Sequence, residues 1–156
     1  MSTKEIVTSF YDCFAKGEAK GMLNFYAEEV IFCDPAFGKL SGNRPHEMWR
    51  MLLGRFDEHT TINFEVVETE ANKAQVKWTA KYHFGKKRRP VTNRVTSTLI
   101  LKNEKIVEHY DNFDIWKWAY QAIGIGGLLL GWSKFFQLKI QQNTNKMLDK
   151  YIAKHA

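Results

Sequence analysis

The sequence predicts an α+β domain in which helices pack on one face of a curved antiparallel sheet. Apolar residues recur with the helical period in the first third of the chain and alternate with polar residues between positions 62 and 114, which is the period of strands. Helices come first and strands second, an order typical of α+β domains. The chain has 156 residues, enough for one domain with its own core.

Two helices are predicted at the N-terminus. The first covers residues 3–16, because Ile6, Phe10 and Phe14 repeat every four positions and share one face. The second covers residues 18–28, with its apolar residues again on one side. Both helices therefore have an apolar face that can pack on a sheet.

A short strand and a third helix follow. The strand covers residues 30–34 and ends before Pro35. The helix begins at Pro45, because proline suits the first helical turn. Its buried stripe is predicted to consist of Trp49, Leu52, Leu53 and Phe56.

The middle of the chain predicts an antiparallel meander of four strands with short connections. Apolar and polar residues alternate most clearly in its second strand, from Val76 to Phe84. The four strands are residues 62–67, 76–84, 91–102 and 106–114.

Residues 115–156 predict a helical extension of the domain formed by residues 1–114. One helix begins near Ile115 and breaks within residues 124–127, and another covers residues 133–155. The stretch 118–132 is too apolar to face water, so we expect its own domain or a second subunit to cover it. The alternative is contact with a membrane surface through the tryptophans of the extension.

Composition and charge restrict the function classes. The net charge is +6, with one basic run, GKKRRP at residues 85–90, which we interpret as a solvated hairpin tip and not a nucleic-acid surface. The two cysteines, Cys13 and Cys33, have no ligand spacing, and we expect free thiols, no metal and no cofactor. Cys33 is expected in the core. The N-terminus has no secretory pattern, so we expect a cytoplasmic protein.

Asp34 is the first candidate for chemistry. It follows an apolar run directly and precedes Pro35 and a glycine-containing loop. An aspartate at a strand end either caps the turn that follows or acts as a base at the mouth of a pocket. Both interpretations remain open from the residues alone.

His109 and Asp111 are the second candidate. Period-two spacing places Val107, His109, Asp111 and Phe113 on one face of the last strand, and the apolar members identify it as the inner face. Desolvation there disfavours the charged form of a carboxyl group, so its pKa is expected to rise. A raised pKa near the working pH is what a general acid or base needs. The alternatives are a buried structural pair, or a metal site that also includes His83.

The run FYAEEVIFCDPAFGKLSG, residues 25–42, resembles the signature region of nuclear transport factor 2-like proteins. That superfamily includes ketosteroid isomerases, SnoaL-like polyketide cyclases and limonene epoxide hydrolases. The later IVEHYDNFD, residues 106–114, resembles the last strand of its SnoaL-like members. The resemblance implies a cone-shaped fold, with helices on the concave face of the sheet, a deep apolar cavity and dimerisation through the outer sheet face.

The resemblance also implies roles for individual residues. Asp34 stands where the isomerases have their aspartate base, and Asp111 where SnoaL-like cyclases have an acid/base aspartate. The two isomerase positions that bind the substrate oxygen match Phe10, next to Tyr11, and Ser97. A phenylalanine cannot donate a hydrogen bond, so the SnoaL-like members are the better match.

These expectations combine into a cofactor-free enzyme that does acid/base chemistry on an apolar carbonyl, enol or epoxide compound. Asp34 and Asp111 would transfer the proton, His109 would orient or donate, and Ser97 or Tyr11 would bind the substrate oxygen. The expected cavity wall consists of Phe14, Trp49, Trp78 and Phe113. The alternative is a non-catalytic binding or scaffold module with the same fold.

Overall fold

The computed structural model describes residues 1–124 and 133–156. Within these residues the helices are α1 (Thr3–Ala15), α2 (Ala19–Leu23), α3 (Arg44–Leu53), α4 (Ile115–Ile123) and α5 (Lys134–Lys154). The strands are β1 (Tyr26–Asp34), β2 (Gly38–Leu40), β3 (Thr61–Thr69), β4 (Lys73–Phe84), β5 (Arg89–Lys102) and β6 (Lys105–Asn112). The predicted α+β class is confirmed.

One curved sheet of six strands, in the order β2-β1-β6-β5-β4-β3, organises the described part of the molecule. Strands β3 to β6 form the antiparallel meander that the sequence predicts. Strand β1 joins β6 in parallel, and β2 pairs with β1 as a short antiparallel hairpin. The sheet as a whole is therefore mixed, with one parallel pair at its β1 side.

The second predicted helix is wrong in extent. It ends at Leu23, and the chain is a strand from Tyr26, four residues before the predicted strand start. Pairing with β6 explains this change, since Tyr26 lies opposite Ile106 and the Ile106 amide donates to the Phe25 carbonyl at 2.8 Å. The short strand β2, Gly38–Leu40, was not predicted.

The core lies between the helices and the concave face of the sheet. Helix α1 starts with a capping box, in which Ser2 and Glu5 satisfy each other's backbone amides. In α3, Trp49 and Leu53 are buried as predicted, while Leu52 is only half-buried. The largest fully buried side chains include Phe10, Tyr11, Phe32, Met48 and Leu99.

The C-terminal extension packs back onto the same domain. Trp118 of α4 donates its indole N–H to the Tyr82 hydroxyl at 2.8 Å, and Ile140 of α5 joins α4 in a second apolar cluster. Farther along α5, Leu148 is fully buried in the main core. The extension thus contributes to both apolar clusters of the fold.

The predicted break in the extension is only partly within the described residues. Helix α4 ends at Ile123, and the capping residue Gly124 has a φ of +102°, which favours glycine. The rest of the predicted break and most of the apolar stretch, residues 125–132, lie outside the described residues. None of the described helices is long and apolar enough to cross a membrane.

Candidate functional site

The candidate site forms where β1, β5 and β6 lie side by side. Phe32 of β1 is next to His109 of β6, and Ser97 of β5 is opposite Asp111. Continuing the parallel register by one residue sets Asp34 beside Asp111. Residues two apart on a strand face the same way, so these side chains share the concave face. The structure thus brings both predicted carboxylates to one place.

His109 and Asp111 form a buried dyad. His109 Nε2 lies 2.8 Å from Asp111 Oδ1, and the two residues are 1% and 7% exposed. The Ser97 hydroxyl donates to the same carboxylate oxygen, and it accepts the indole N–H of Trp78 at 2.7 Å. Because Ser97 already bonds on both sides, its hydroxyl orients Asp111 and is not free to bind a substrate oxygen.

Tyr26 completes the network on the other side of the imidazole. Its hydroxyl lies 2.6 Å from His109 Nδ1 and accepts the Trp49 indole N–H at 2.8 Å. In the tautomer that carries its proton on Nε2, His109 donates to Asp111 and its Nδ1 accepts the Tyr26 O–H. The donors of this chain of hydrogen bonds then point toward Asp111, which accepts from both Ser97 and His109.

Aromatic rings enclose the imidazole. The Trp49 ring stacks on it at 5.9 Å between centroids, and the Phe10 and Phe32 rings meet it edge-on at 5.7 and 5.1 Å. The Tyr11 hydroxyl is 3.5 Å from Nε2. Burial, followed by the nearby Asp111 charge, raises the pKa of Tyr11 well above its usual value, which keeps the phenol neutral. His109 is thus placed to orient Asp111.

Asp34 differs from the dyad because it is only half-buried. Its Oδ1 accepts the backbone N–H groups of Ala36 at 2.9 Å and Phe37 at 2.6 Å, so it caps the Pro35 turn. Burial raises its pKa to about 7; the Asp111 charge adds to the rise and the two backbone bonds oppose it. Among the described residues, no hydrogen bond reaches Oδ2. Asp34 therefore caps the turn, one of the two interpretations that the sequence left open, and its role as a base stays a prediction.

The remaining predicted residues lie around this site. Phe14 is buried between Trp49 and Trp78, with ring centroids at 5.2 and 5.0 Å, and Phe113 contacts both apolar clusters. Tyr26 was missed because it was placed in a helix. No simple alternation marks it, because the register of β1 shifts between Tyr26 and Ile31 and Glu28, two residues before Val30, is exposed.

Two further predictions concern Cys33, which was expected in the core, and His83, which was considered as a metal ligand. Cys33 is half-buried, and strand alternation places it on the opposite face from Asp34, so its assignment to the core is wrong. His83 stacks on His59, with centroids 4.5 Å apart. Within residues 1–124 and 133–156, no three histidine, cysteine or acidic side chains are grouped as metal ligands.

Two surface depressions lie on the helical side of the molecule. One, of about 690 Å³, is lined by residues of α2, α3 and α5, and the other, of about 540 Å³, by residues of α3 and α5. Both include Arg50, Gly54 and Tyr151, and neither includes Asp34, His109 or Asp111. An enclosed apolar pocket at the carboxylates stays a prediction.

Known structures share this fold at low sequence identity. A candidate polyketide cyclase from Xanthomonas campestris is 15% identical, with a TM-score of 0.61 over 76% of this chain and 94% of that one. A second, from Silicibacter, is 14% identical, with a TM-score of 0.64 over 76% and 93%. A protein with a ketosteroid isomerase-like fold from Catenulispora acidiphila, in complex with trimethylamine, is 15% identical, with a TM-score of 0.59 over 78% and 94%.

Sequence comparison identifies the family. No curated protein matches the chain in sequence. The model of the SnoaL-like domain family matches residues 7–109, which include β1, β5 and most of the last strand. Because this match spans more than half of the chain, the protein belongs to the SnoaL-like domain family.

Proposed function

We propose that the protein is a cofactor-free enzyme that transfers protons on an apolar carbonyl, enol or epoxide compound, with Asp34 as the group that changes protonation. One observation carries the proposal: a half-buried carboxyl group whose pKa is raised to about 7 lies beside a second, hydrogen-bonded carboxylate. A proton carrier works best when its pKa is near the working pH, and such shifts are typical of functional sites.

Asp34 is the better proton carrier of the two aspartates. Its Oδ1 is fixed by two backbone N–H groups, which leaves Oδ2 as the atom that takes and returns a proton. Asp111 Oδ1 is hydrogen-bonded by both Ser97 and His109, which fix the orientation of its carboxyl group. Its negative charge raises the proton affinity of Asp34, as in other sites where two carboxyl groups are neighbours.

The supported reaction step is proton removal next to a carbonyl group. Asp34 Oδ2 takes the proton, the electron pair of the C–H bond moves into a C=C bond, and the carbonyl π pair moves to oxygen to give an enolate. The protonated Asp34 then returns the proton to oxygen or to another carbon. This sequence needs only the chain's own groups, and two structural neighbours that carry the name polyketide cyclase support the substrate class.

Hydrogen–deuterium exchange tests this proposal without knowledge of the natural substrate. Apolar ketones with acidic C–H groups, beginning with 2-tetralone, are incubated with the protein in D₂O, and loss of the α-proton signal is followed by NMR. We expect the wild-type protein to accelerate exchange and Asp34→Asn to lower this acceleration by on the order of 10²-fold. The control is Asp12→Asn, an exposed aspartate on α1.

Two results would contradict the proposal. One is exchange at the buffer rate for every ketone in the series. The other is equal acceleration by the wild type and Asp34→Asn, because proton transfer would then involve another group.

A non-catalytic binding module is the second candidate. It is favoured by the dyad itself: none of the buried polar side-chain atoms of the described residues lacks a partner, as in a structural network. Ketone binding that shifts NMR signals of residues around Asp34, without any exchange, would support this alternative.

A further inference from the structure

The turn after Asp34 is held from two sides. Its N–H groups, at Ala36 and Phe37, donate to the Asp34 carboxyl group. Its carbonyl groups accept from side chains of α5: Pro35 from Gln137 at 3.3 Å and Gln141 at 3.1 Å, Ala36 from Thr144 at 2.8 Å, and Phe37 from Asn145 at 2.9 Å. Since proline has no N–H, every backbone polar group of the turn is paired.

The four side chains lie on one face of α5. Their spacing along the chain is i, i+4, i+7 and i+8, which repeats with the helical period. The helix also comes close to the backbone at Gly38, where an added Cβ would be 3.1 Å from Gln141 Oε1. Gly38 has a φ of +73°, so glycine is favoured there on two grounds. Side chains of α5 therefore contact each residue of the turn, Pro35, Ala36 and Phe37.

Arg44 of α3 sets the orientation of one of these amides. It donates to Asn145 Oδ1 at 2.7 Å and to Asp149 at 2.6 Å. Because Oδ1 is the acceptor for Arg44, the Nδ2 group is the one that donates to the Phe37 carbonyl. The chain of contacts thus runs from Arg44 through Asn145 and the turn to Asp34.

We propose that α5 is a positioning element of the active site, holding the Asp34 turn through Gln137, Gln141, Thr144 and Asn145. This inference rests on the proposed function of Asp34. It also assigns a role to a helix that lies beyond residues 7–109, the part of the chain that the family model matches. The SnoaL-like domain of this protein would then depend on its extension to place its proton carrier.

The helix acts through position and not through charge. The charge of Asp111 on β6 raises the pKa of Asp34. The charge of Asp34 in turn contributes to the raised pKa values of Tyr82 on β4 and of the neighbouring Cys33. The α5 groups that contact the turn are three neutral amides and a hydroxyl. If the turn loosens, water reaches the carboxyl group, and the desolvation that dominates its proton affinity is reduced.

Substitutions on neighbouring positions of α5 test the inference. Gln141→Leu and Thr144→Val remove donors to the turn and nearly keep side-chain size. The matched controls are Gln142→Leu, on the exposed side of the same helix, and Thr144→Ser, which keeps the hydroxyl. The measurement is a ¹³C NMR titration of the Asp34 carboxyl carbon in the full chain, with near-UV circular dichroism to show that each variant is folded.

We expect the titration midpoint of Asp34 to fall by about one pH unit or more in the Gln141→Leu/Thr144→Val variant and to stay within about 0.3 of the wild-type value in the controls. If the double variant does not fold, the comparison of Thr144→Val with Thr144→Ser gives the answer. An unchanged midpoint in folded variants would overturn the inference. It would leave the proposed function intact, since that depends on the exchange rate of Asp34→Asn.

Discussion

The carboxyl group of Asp34 caps a turn and also gains proton affinity from burial. Its pKa in the folded protein, about 7, is above the ordinary value of 3.8 that applies to an unfolded chain. Between these two values the folded state binds more protons than the unfolded state. Stability is therefore lost as the pH rises through this window, and the loss is complete above pH 7.

We predict that Asp34→Asn removes this loss. The amide oxygen can still accept the N–H groups of Ala36 and Phe37, while the buried negative charge is gone. Relative to the wild type, the variant should gain on the order of 1–2 kcal/mol in unfolding free energy between pH 4.5 and pH 8, after allowance for partial exposure. Urea unfolding at both pH values measures the difference. An equal difference at the two pH values would contradict a raised pKa.

Tyr26 is the residue that connects α3 to the dyad. We predict that Tyr26→Phe lowers the unfolding free energy by about 1–3 kcal/mol, because His109 Nδ1 and the Trp49 N–H lose their partner in a buried place. Tyr110→Phe is the control, since Tyr110 is 40% exposed, and should change stability by less than about 0.5 kcal/mol. Equal effects of the two substitutions would show that the network contributes little.

Individual residues were predictable to different degrees. The period of β6 placed His109 and Asp111 on the inner face, and the Asp–Pro pair marked the end of β1. The hydrogen bonds of Trp49 to Tyr26 and of Trp78 to Ser97 were not predictable, because each depends on the exact placement of two side chains on different elements. A tryptophan at a helical core position looks the same in the sequence whether or not its N–H has a partner.

Secondary-structure elements were predictable where their sequence signals are local and not where they depend on a distant partner. The meander was predicted because strand alternation and short turns are local signals. The parallel pairing of β1 with β6 joins Tyr26 to Ile106 and leaves no local signal. This distant partner also explains why residues 26–28, predicted as helix, belong to strand β1, since tertiary pairing overrides local propensity.

Helix α5 is integral to the fold, and one substitution tests this. We predict that Leu148→Ala lowers the unfolding free energy by about 2–5 kcal/mol, because Leu148 is fully buried in the main core. Leu138→Ala on the same helix, where the side chain is 58% exposed, is the matched control and should have little effect. Similar small losses for both variants in urea unfolding would show that α5 does not contribute to the main core.

At the scale of the whole molecule, part of the basic run GKKRRP contacts other segments of the chain. In the hairpin between β4 and β5, Arg88 pairs with Asp57 at 2.7 Å and Arg89 donates to the Gln121 carbonyl at 2.8 Å. Two basic residues of GKKRRP therefore have partners within the protein. The homodimer implied by the family resemblance stays a prediction, which sedimentation equilibrium would check.

The most direct test of the whole account is the titration of Asp34 itself. In the wild-type protein, a ¹³C NMR titration resolves the carboxyl carbon, and assignment by Asp34→Asn identifies its signal. The account predicts a midpoint near pH 7. A midpoint near 4, the ordinary value for an exposed aspartate, would contradict it, because Asp34 would then be a turn cap without the proton affinity that the proposed chemistry requires.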